Sequence, residues 1–420
     1  MNYNTILFRC GLSPESFKNF EHNPIIDDNG VTYYVEQITT NNKTCPYCNK
    51  EEKVIIHDYY YSKINITEND NYPEFLKIKR VRYKCKNCNL SFVPPIVGIP
   101  KGDTISIKVK TDIYYDFKKA MTFKQIANNY KVSQTTIFNV FDELVLDVPR
   151  ASMPEILCID EFKFSKDVDQ KYCVALTNFK TGKIVDVIKN RKLDYLIEYF
   201  SSIDEKERNN VKYFVSDMYD QYATIKERFF PDAIHVIDLF HIIKQLTEAI
   251  NSIRVDVMKT TFKGTPENYF FKNYWKLFLC SRVKIPYKTY TQKKTNITYA
   301  IPDLFEACLA LDKDLLEGYS ILQDILLTKN FENVDTGTKF IENISYNLEF
   351  TGNPKLISVG KTYTKWKKEI INAFLPETRK QRITNGKAEG NNNFIKTLIK
   401  ISYGCKNFDR MRKRILLIKK

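Results

Sequence analysis

The chain has no run of about eighteen uninterrupted apolar residues, so no membrane-spanning helix is expected and no membrane partner. Its amino terminus, MNYNTILFRC, lacks a basic stretch followed by an apolar one, and the expected location is therefore the cytoplasm. Tryptophan is scarce, with only Trp275 and Trp366 in 420 residues, and both read most simply as core. Apolar residues are not scarce. At 43% hydrophobic the chain is rich enough for sizeable cores, and its length suggests about three domains. Cytosolic cysteines stay reduced, so any regular spacing among the ten present points to metal before disulfide.

Positive charge is in excess. Sixty-five Lys and Arg against fifty Asp and Glu leave +15, which favours a polyanionic partner, nucleic acid first. Residues 1–40 carry −3, residues 41–150 carry +6 and residues 151–360 carry −1, while residues 361–420, with 17 basic against 4 acidic, carry +13. Two separate contacts with a polyanion are expected, because solvated surface charge would be scattered.

Cys45-Pro-Tyr-Cys48 and Cys85-Lys-Asn-Cys88 are two C-x-x-C knuckles, and together they supply the four thiolates of one tetrahedral zinc site. The intervening runs KVIIHDYYY and FLKIKRVRYK are β-branched and aromatic and read as strands of a hairpin tied by the metal. Lys77, Lys79, Arg80, Arg82 and Lys84 follow closely in the second run, so one edge is expected to track phosphates. After a linker from Gly98 to Gly102, helical spacing runs from Thr104 to Lys119. Thr122 with Gln125, then Ser133, cap the two helices of a helix-turn-helix with Ile126, Val132, Ile137 and Val140 as core. Gln134, Thr135 and Asn139 lie on the polar side of its second helix, placed to reach base edges in a major groove.

Beyond Pro154 the pattern changes. ILCID, YCVALTNF and KIVDVI read as a three-strand meander, followed by alternating helices and strands in which VKYFVSD and AIHVID end in Asp217 and Asp238. The order βββαβαβα is that of a ribonuclease-H-like mixed sheet, in which first and fourth strands adjoin and bring Asp160 beside Asp217. Neighbouring carboxylates repel unless divalent cations neutralise them. Two magnesium or manganese ions on such a site activate an attacking hydroxyl and stabilise the leaving oxygen of a phosphoryl displacement. A third acidic ligand is then required, and Glu389 is the candidate: Asn385-Gly386 makes a turn and Ala388 to Leu398 a helix able to return to the sheet.

The knuckles, the helix-turn-helix, Ile159-Asp160-Glu161, Val215-Ser216-Asp217-Met218-Tyr219, Ile237-Asp238-Leu239-Phe240-His241 and Asn385-Gly386-Lys387-Ala388-Glu389-Gly390-Asn391-Asn392 occur in this order. Together with Ile395-Lys396, Tyr403-Gly404 and Arg414-Ile415-Leu416 they resemble the bacterial insertion-sequence transposases of the ISL-three family. The resemblance implies that Asp160, Asp217 and Glu389 form an Asp-Asp-Glu catalytic triad. It implies binding to the element's terminal inverted repeats, cleavage that frees 3′-hydroxyls, and transfer of those ends to target DNA, by a homo-oligomer, a dimer on DNA, associated with the nucleoid. Asp238 competes for the second triad position, but its strand lies one place further from the first, so Asp238 and His241 take supporting roles. Glu161 alternates to the opposite face and is structural.

The resulting fold class is α/β: a ribonuclease-H-like catalytic domain with an all-α insertion, preceded by a zinc-binding β module and a helix-turn-helix. The expected divisions are an N-terminal segment (1–40), the zinc module (41–93), the helix-turn-helix domain (94–150), the first part of the catalytic core (151–238), a helical insertion (239–380) and the second part of the core with a basic tail (381–420). Helical spacing in 239–258, 304–327 and 361–374 marks the insertion. In the tail, Lys396, Lys400, Lys406, Arg410, Arg412, Lys413 and Arg414 alternate with apolar residues and are expected to clamp phosphates. Two other functions fit less well: a DNA-binding regulator with a dead catalytic domain, and a nuclease that cuts without joining.

Overall fold

The structure, a computed structural model, describes residues 3–19, 23–38, 44–51, 53–67, 72–99, 102–164, 171–292, 295–328, 330–402 and 407–419. Tyr403, Gly404 and Lys406, and the middle of the 98–102 linker, lie outside the described residues. Contacts divide the chain into two compact units, residues 1–149 with 397–420, and residues 150–396. Among the described residues no helix is long and apolar enough to cross a membrane.

In the first unit, α1 (Tyr3–Arg9), β1 (Phe17–Asn19), β2 (Ile25–Asp27) and β3 (Gly30–Gln37) precede the hairpin β4 (Val54–Asn65) and β5 (Glu74–Cys85), with β6 (Ser91–Phe92) after it. The sheet order is β1-β3-β5-β4, with β2 on β3 and β6 on β5. The expected boundary at residue 40 is therefore corrected. β3 runs parallel to β5 from Val31↔Glu74 to Glu36↔Lys79, because Leu76 and Ile78 need apolar cover that Tyr33, Val35 and helix residues Ile6 and Leu7 supply.

Three helices follow, α2 (Ile107–Phe117), α3 (Phe123–Asn129) and α4 (Gln134–Leu144). The two short helices start where the caps suggest: Thr122 Oγ1 accepts from Gln125 N at 2.8 Å and Gln125 Oε1 from Thr122 N at 2.9 Å, while Ser133 Oγ accepts from Thr136 N at 3.0 Å. Lys131 takes the left-handed turn at φ 52. Ile126, Ile137 and Val140 are buried around the edge-packed rings of Phe117, Phe123 and Phe141, whereas Val132, expected in that core, is half-buried.

The second unit is built on β7 (Ile156–Lys163), β8 (Tyr172–Asn178), β9 (Ile184–Ile188), α5 (Leu193–Ser201), α6 (Glu205–Arg208), β10 (Tyr213–Ser216), α7 (Asp220–Phe229) and β11 (Ile234–Ile237). Its sheet order is β11-β10-β7-β8-β9, with β10 parallel to both β7 and β11. First and fourth strands adjoin, the mixed ribonuclease-H-like arrangement. Leu157, Ile159 and Phe214 face one core with Leu196, Phe200 and Ile225. Ile156, Cys158 and Val215 face another, shared with the helices downstream.

Those helices are α8 (Leu239–Thr260), α9 (Pro266–Asn273), α10 (Ile301–Ala310), α11 (Lys313–Leu327), α12 (Val334–Phe350), α13 (Pro354–Lys365), α14 (Lys367–Phe374) and α15 (Pro376–Gln381), followed by α16 (Gly386–Ile401) and α17 (Phe408–Lys419). The insertion is not all helical: β12 (Thr289–Thr291) and β13 (Thr298–Ala300) form an antiparallel hairpin. The helix expected over 304–327 is broken where Asp312 caps α11 by accepting from Leu315 N at 2.8 Å. The one expected over 361–374 is divided at Trp366. Trp366 is core, but Trp275 is 39% exposed, contrary to expectation. The tail is also divided differently from expectation, since residues 397–420 group with the first unit and not with the catalytic core.

α12 and α13 approach closely at Gly360, where a Cβ would stand 2.9 Å from the Ser345 carbonyl oxygen and 3.2 Å from Leu348 Cβ. Backbone cannot yield as a flexible side-chain tip does. Gly360→Ala is expected to lower the unfolding free energy by about 1–3 kcal/mol, read from the urea midpoint. An unchanged midpoint would show that the helices separate at no cost.

Candidate active site and metal centre

Register places the acidic residues. β10 pairs with β7 at Tyr213↔Ile156 and Val215↔Cys158, so two further residues along each strand set Asp217 beside Asp160. β11 pairs with β10 up to Ser216↔Ile237, which sets Asp238 level with both. Alternation puts all three on the face of Cys158 and Val215. Asp160 and Asp217, together with Glu389, Glu161, Phe240, His241, Lys244, Asn392, Asn393 and Lys396, line a cavity of about 390 Å³. Asp238 is 2% exposed and is not among the lining residues; it sits behind His241, with Oδ2 3.5 Å from Nδ1.

Glu389 arrives on α16, and the residues around it explain how. Asn385 Nδ2 donates to the Ile159 carbonyl at 3.3 Å, Lys387 Nζ to the Lys180 carbonyl at 2.8 Å, and Asn391 Nδ2 to Thr177 Oγ1 and the Gly182 carbonyl at 3.2 and 2.9 Å. Ala388 is fully buried. Helical spacing then turns Glu389, Asn392, Asn393 and Lys396 toward the cavity. Asn392 Nδ2 reaches Asp160 Oδ2 at 2.7 Å and the Glu161 carbonyl at 3.1 Å. Asn385, Asn391 and Asn392 were not expected to hold the helix, and their signal was the unusual density of asparagine in one helix. Lys244, three residues after His241 on α8, was also missed, though helical spacing puts it on the same face.

Burial, with neighbouring carboxylates adding to it, pushes both Asp160 and Asp217 up to about 6. His241 moves the other way from its burial: desolvation lowers it, but the close approach of Asp238 and the charges of Asp238, Asp217 and Asp160 raise it above its ordinary value. Asp217 Oδ1 and Asn392 Oδ1 are buried without a hydrogen-bond partner. Two unpartnered oxygens and two carboxylates destabilised by burial have the hard-oxygen chemistry that suits a divalent cation such as magnesium or manganese. Glu161, expected on the opposite face, lines the same cavity, and its carboxylate pairs with Arg191 Nη1 at 2.6 Å.

A second candidate metal site lies in the first unit. The sulfurs of Cys45, Cys48, Cys85 and Cys88 all lie within 4.8 Å of one another, and are the one such group of three or more metal-ligating residues among those described. Cys45 and Cys88 Sγ are 3.6 Å apart, as are Cys48 and Cys85 Sγ; four thiolates at about 2.3 Å from one zinc have edges of ~3.8 Å. Asn49 and Asn89 follow the second cysteine of each knuckle in the left-handed conformation, φ 53 and 60, a repeated C-x-x-C-N that the sequence displays. A backbone hydrogen bond from Lys50 is the main cause that draws the Cys48 thiol down to about 6.

The expected DNA-binding residues separate. Thr135 and Asn139 are exposed and Gln134 half-buried on α4. Lys79 is half-buried, but Arg80 is 9% exposed and its Nη2 donates to the Pro94 carbonyl at 2.8 Å, while Arg82 pairs with Asp58 at 3.4 Å. Consecutive basic residues alternate across a strand and cannot share one face. Lys396 and Lys400 are exposed on α16. In α17 the expected clamp is corrected. Arg414 is fully buried, hydrogen-bonded to the Met121 carbonyl and 4.2 Å from the Phe123 ring centroid. Arg410 pairs with Asp142 at 2.5 Å and stands 4.6 Å from the Phe138 ring centroid, and Arg412 Nη1 lies 3.5 Å from the Val148 carbonyl.

The family whose description is Transposase, the ISL-three group of the Asp-Asp-Glu type, matches residues 157–415. No curated protein matches the chain.

Two outcomes follow from these centres. Removing zinc with a chelator, or substituting Cys48→Ser, is expected to unfold the β4-β5 end of the first unit, seen as loss of one zinc per chain and of protease resistance near residues 44–90; a native chain with no zinc by elemental analysis would contradict this. For the acidic site the sign follows from the raised aspartates. Between about pH 4 and 6 the folded chain holds more protons than the unfolded one, so without a cation stability falls as pH rises through that window. A bound cation replaces those protons, and manganese should therefore raise Tm more at pH 7.5 than at pH 5. An increment equal at both values would mean the cation binds elsewhere.

Proposed function

The chain belongs to the ISL-three family of transposases, and from that membership we propose that it moves an insertion element by divalent-metal-dependent DNA cleavage and strand transfer, with Asp160, Asp217 and Glu389 as the metal-holding triad. The observation that carries this reading is the convergence of three carboxylates from β7, the end of β10 and α16 on one cavity that also presents Lys244 and Lys396. Two magnesium or manganese ions held there would activate the attacking hydroxyl and stabilise the leaving oxygen.

The chain's own residues do the rest. Asn392 fixes the Asp160 carboxylate at 2.7 Å, so the ligand geometry is set before DNA arrives. Lys244 and Lys396 supply positive charge at the cavity rim for phosphate oxygens. His241, backed by Asp238, keeps a proton close to the reacting phosphate. End recognition falls to the first unit: Thr135 and Asn139, with Gln134 at the start of α4, read bases of the terminal inverted repeats, and Lys124 and Lys131, both exposed, approach the backbone. Lys400 extends the basic surface of α16, and target DNA is a second substrate. Joining two element ends to one target supports two copies of the chain acting together on DNA.

On supercoiled plasmid carrying the element's ends, Asp160→Ala, Asp217→Ala and Glu389→Ala are each expected to reduce cleavage by about three orders of magnitude or more, with end binding within about twofold of the parent. Strand-transfer products are expected from the parent chain. Cleavage without joining would favour the nuclease, and end binding with no cleavage the regulator. Loss in Asp238→Ala with retention in Asp217→Ala would exchange the second triad position.

A further inference from the structure

Pairing of β3, β5 and β4 sets Tyr34 beside Lys77, Lys77 beside Lys63, and Lys79 beside Tyr61. These residues share the sheet face opposite the one that buries Tyr33, Val35, Ile64, Leu76 and Ile78. Tyr59 is 47% and Tyr61 52% exposed. Lysines and rings interleave: Lys79 Nζ is 4.9 Å from the Tyr59 ring centroid, Lys77 Nζ 5.0 Å from that of Tyr61, and Lys63 Nζ 3.7 Å from that of Phe75. Among the described residues no carboxylate pairs with Lys63 or Lys77, while Lys79 lies 3.3 Å from Glu36.

A face meant only for water has no need of exposed rings, and one meant for duplex DNA needs cations without them, since paired bases keep their faces stacked. Rings two residues apart on one strand stand ~6.8 Å from each other, which leaves room for a planar base against each. Every base presents a π-face and every nucleotide an anion, so alternating rings and ammonium groups match an unpaired strand of any sequence. We propose that this face binds unpaired DNA, with bases stacked on Tyr59 and Tyr61 and phosphates met by Lys63, Lys77 and Lys79. The choice of DNA over RNA rests on the function proposed above; the single-strandedness rests on the face itself. A strand opened at a cleaved element end is the natural occupant.

The test uses the full-length, zinc-loaded chain and fluorescein-labelled oligothymidine, without magnesium, so that a failure of catalysis does not affect the readout. Tyr59→Ala with Tyr61→Ala should weaken oligothymidine binding about 10-fold to 100-fold and random duplex by less than about twofold. Tyr59→Phe with Tyr61→Phe should retain it. Lys63→Ala with Lys77→Ala should reduce the magnitude of the log-affinity against log-salt slope by about 1.4. Zinc content and Tm check folding, and Tyr61→Leu, which keeps apolar bulk without the ring, serves should the alanine pair unfold. Unchanged oligothymidine binding, equal loss on duplex, tighter binding of oligouridine, or a change of oligomeric state in the tyrosine variants would each overturn the proposal.

Discussion

Burial of neighbouring carboxylates is the constraint around which the second unit is arranged. Asp160 and Asp217 lie side by side because β7 and β10 are adjacent and parallel, and burial pushes both up to about 6. A fold that merely tolerated acids at this level would let one side chain swing into solvent. Here Asp160 is held by the Glu161 amide at 2.8 Å and Asn392 at 2.7 Å, while Asp217 Oδ1 is left unpartnered. The arrangement keeps two carboxylates pointed at a common space at the expense of stability, a trade often met at functional sites.

The same constraint explains the composition of α16. A third carboxylate brought to the cavity on a separate helix keeps its place only if that helix cannot shift, and Asn385, Lys387 and Asn391 bond it to carbonyls and a hydroxyl of the β7 and β8 region. Side-chain amides suit the task because each offers two donors and an acceptor within a short reach. Ala388 lets the helix lie close to the sheet. The spacing N-x-x-A-E-x-N-N is thus one helical face for anchoring and an adjacent one for the cavity.

Much of this was legible in the sequence, and for identifiable reasons. Five short strands with intervening helices specify the sheet order, because the connections leave few topologies, and the doubled C-x-x-C predicts its own metal geometry. Short-range signals such as the Thr122 and Ser133 caps also survive intact. What escaped were features set by distant partners. β3 joins β5, a partner more than forty residues away in sequence, so a boundary drawn at residue 40 by composition divided one sheet. The hairpin β12–β13 lies within a region of otherwise helical spacing, and Trp275, though an aromatic residue in an apolar stretch, is left partly exposed. Glu389 was legible as the third acid on a helix able to return to the sheet, but not the asparagine contacts that hold that helix there.

The tail shows why charge counted along a chain does not locate a charged surface. Basic residues alternating with apolar ones describe a helix with a basic face, and nothing local distinguishes a face turned to phosphate from one turned inward. Arginine makes the inward option available, since its flat guanidinium stacks on rings and its donors satisfy carbonyls. In α17 that option is taken: Arg414 lies on Phe123, and Arg410 pairs with Asp142 beside Phe138. The pairing holds the Asp142 carboxyl below its usual range, and Lys110 pairs with Glu143 at 2.8 Å. Both acids of α4 are thereby neutralised within the unit. The amino-terminal half of that helix, with exposed Thr135 and Asn139, then faces solvent without an uncompensated negative charge behind it. Part of the +13 of the last sixty residues is thus spent inside the protein, where it removes a repulsion that a polyanion approaching α4 would otherwise meet.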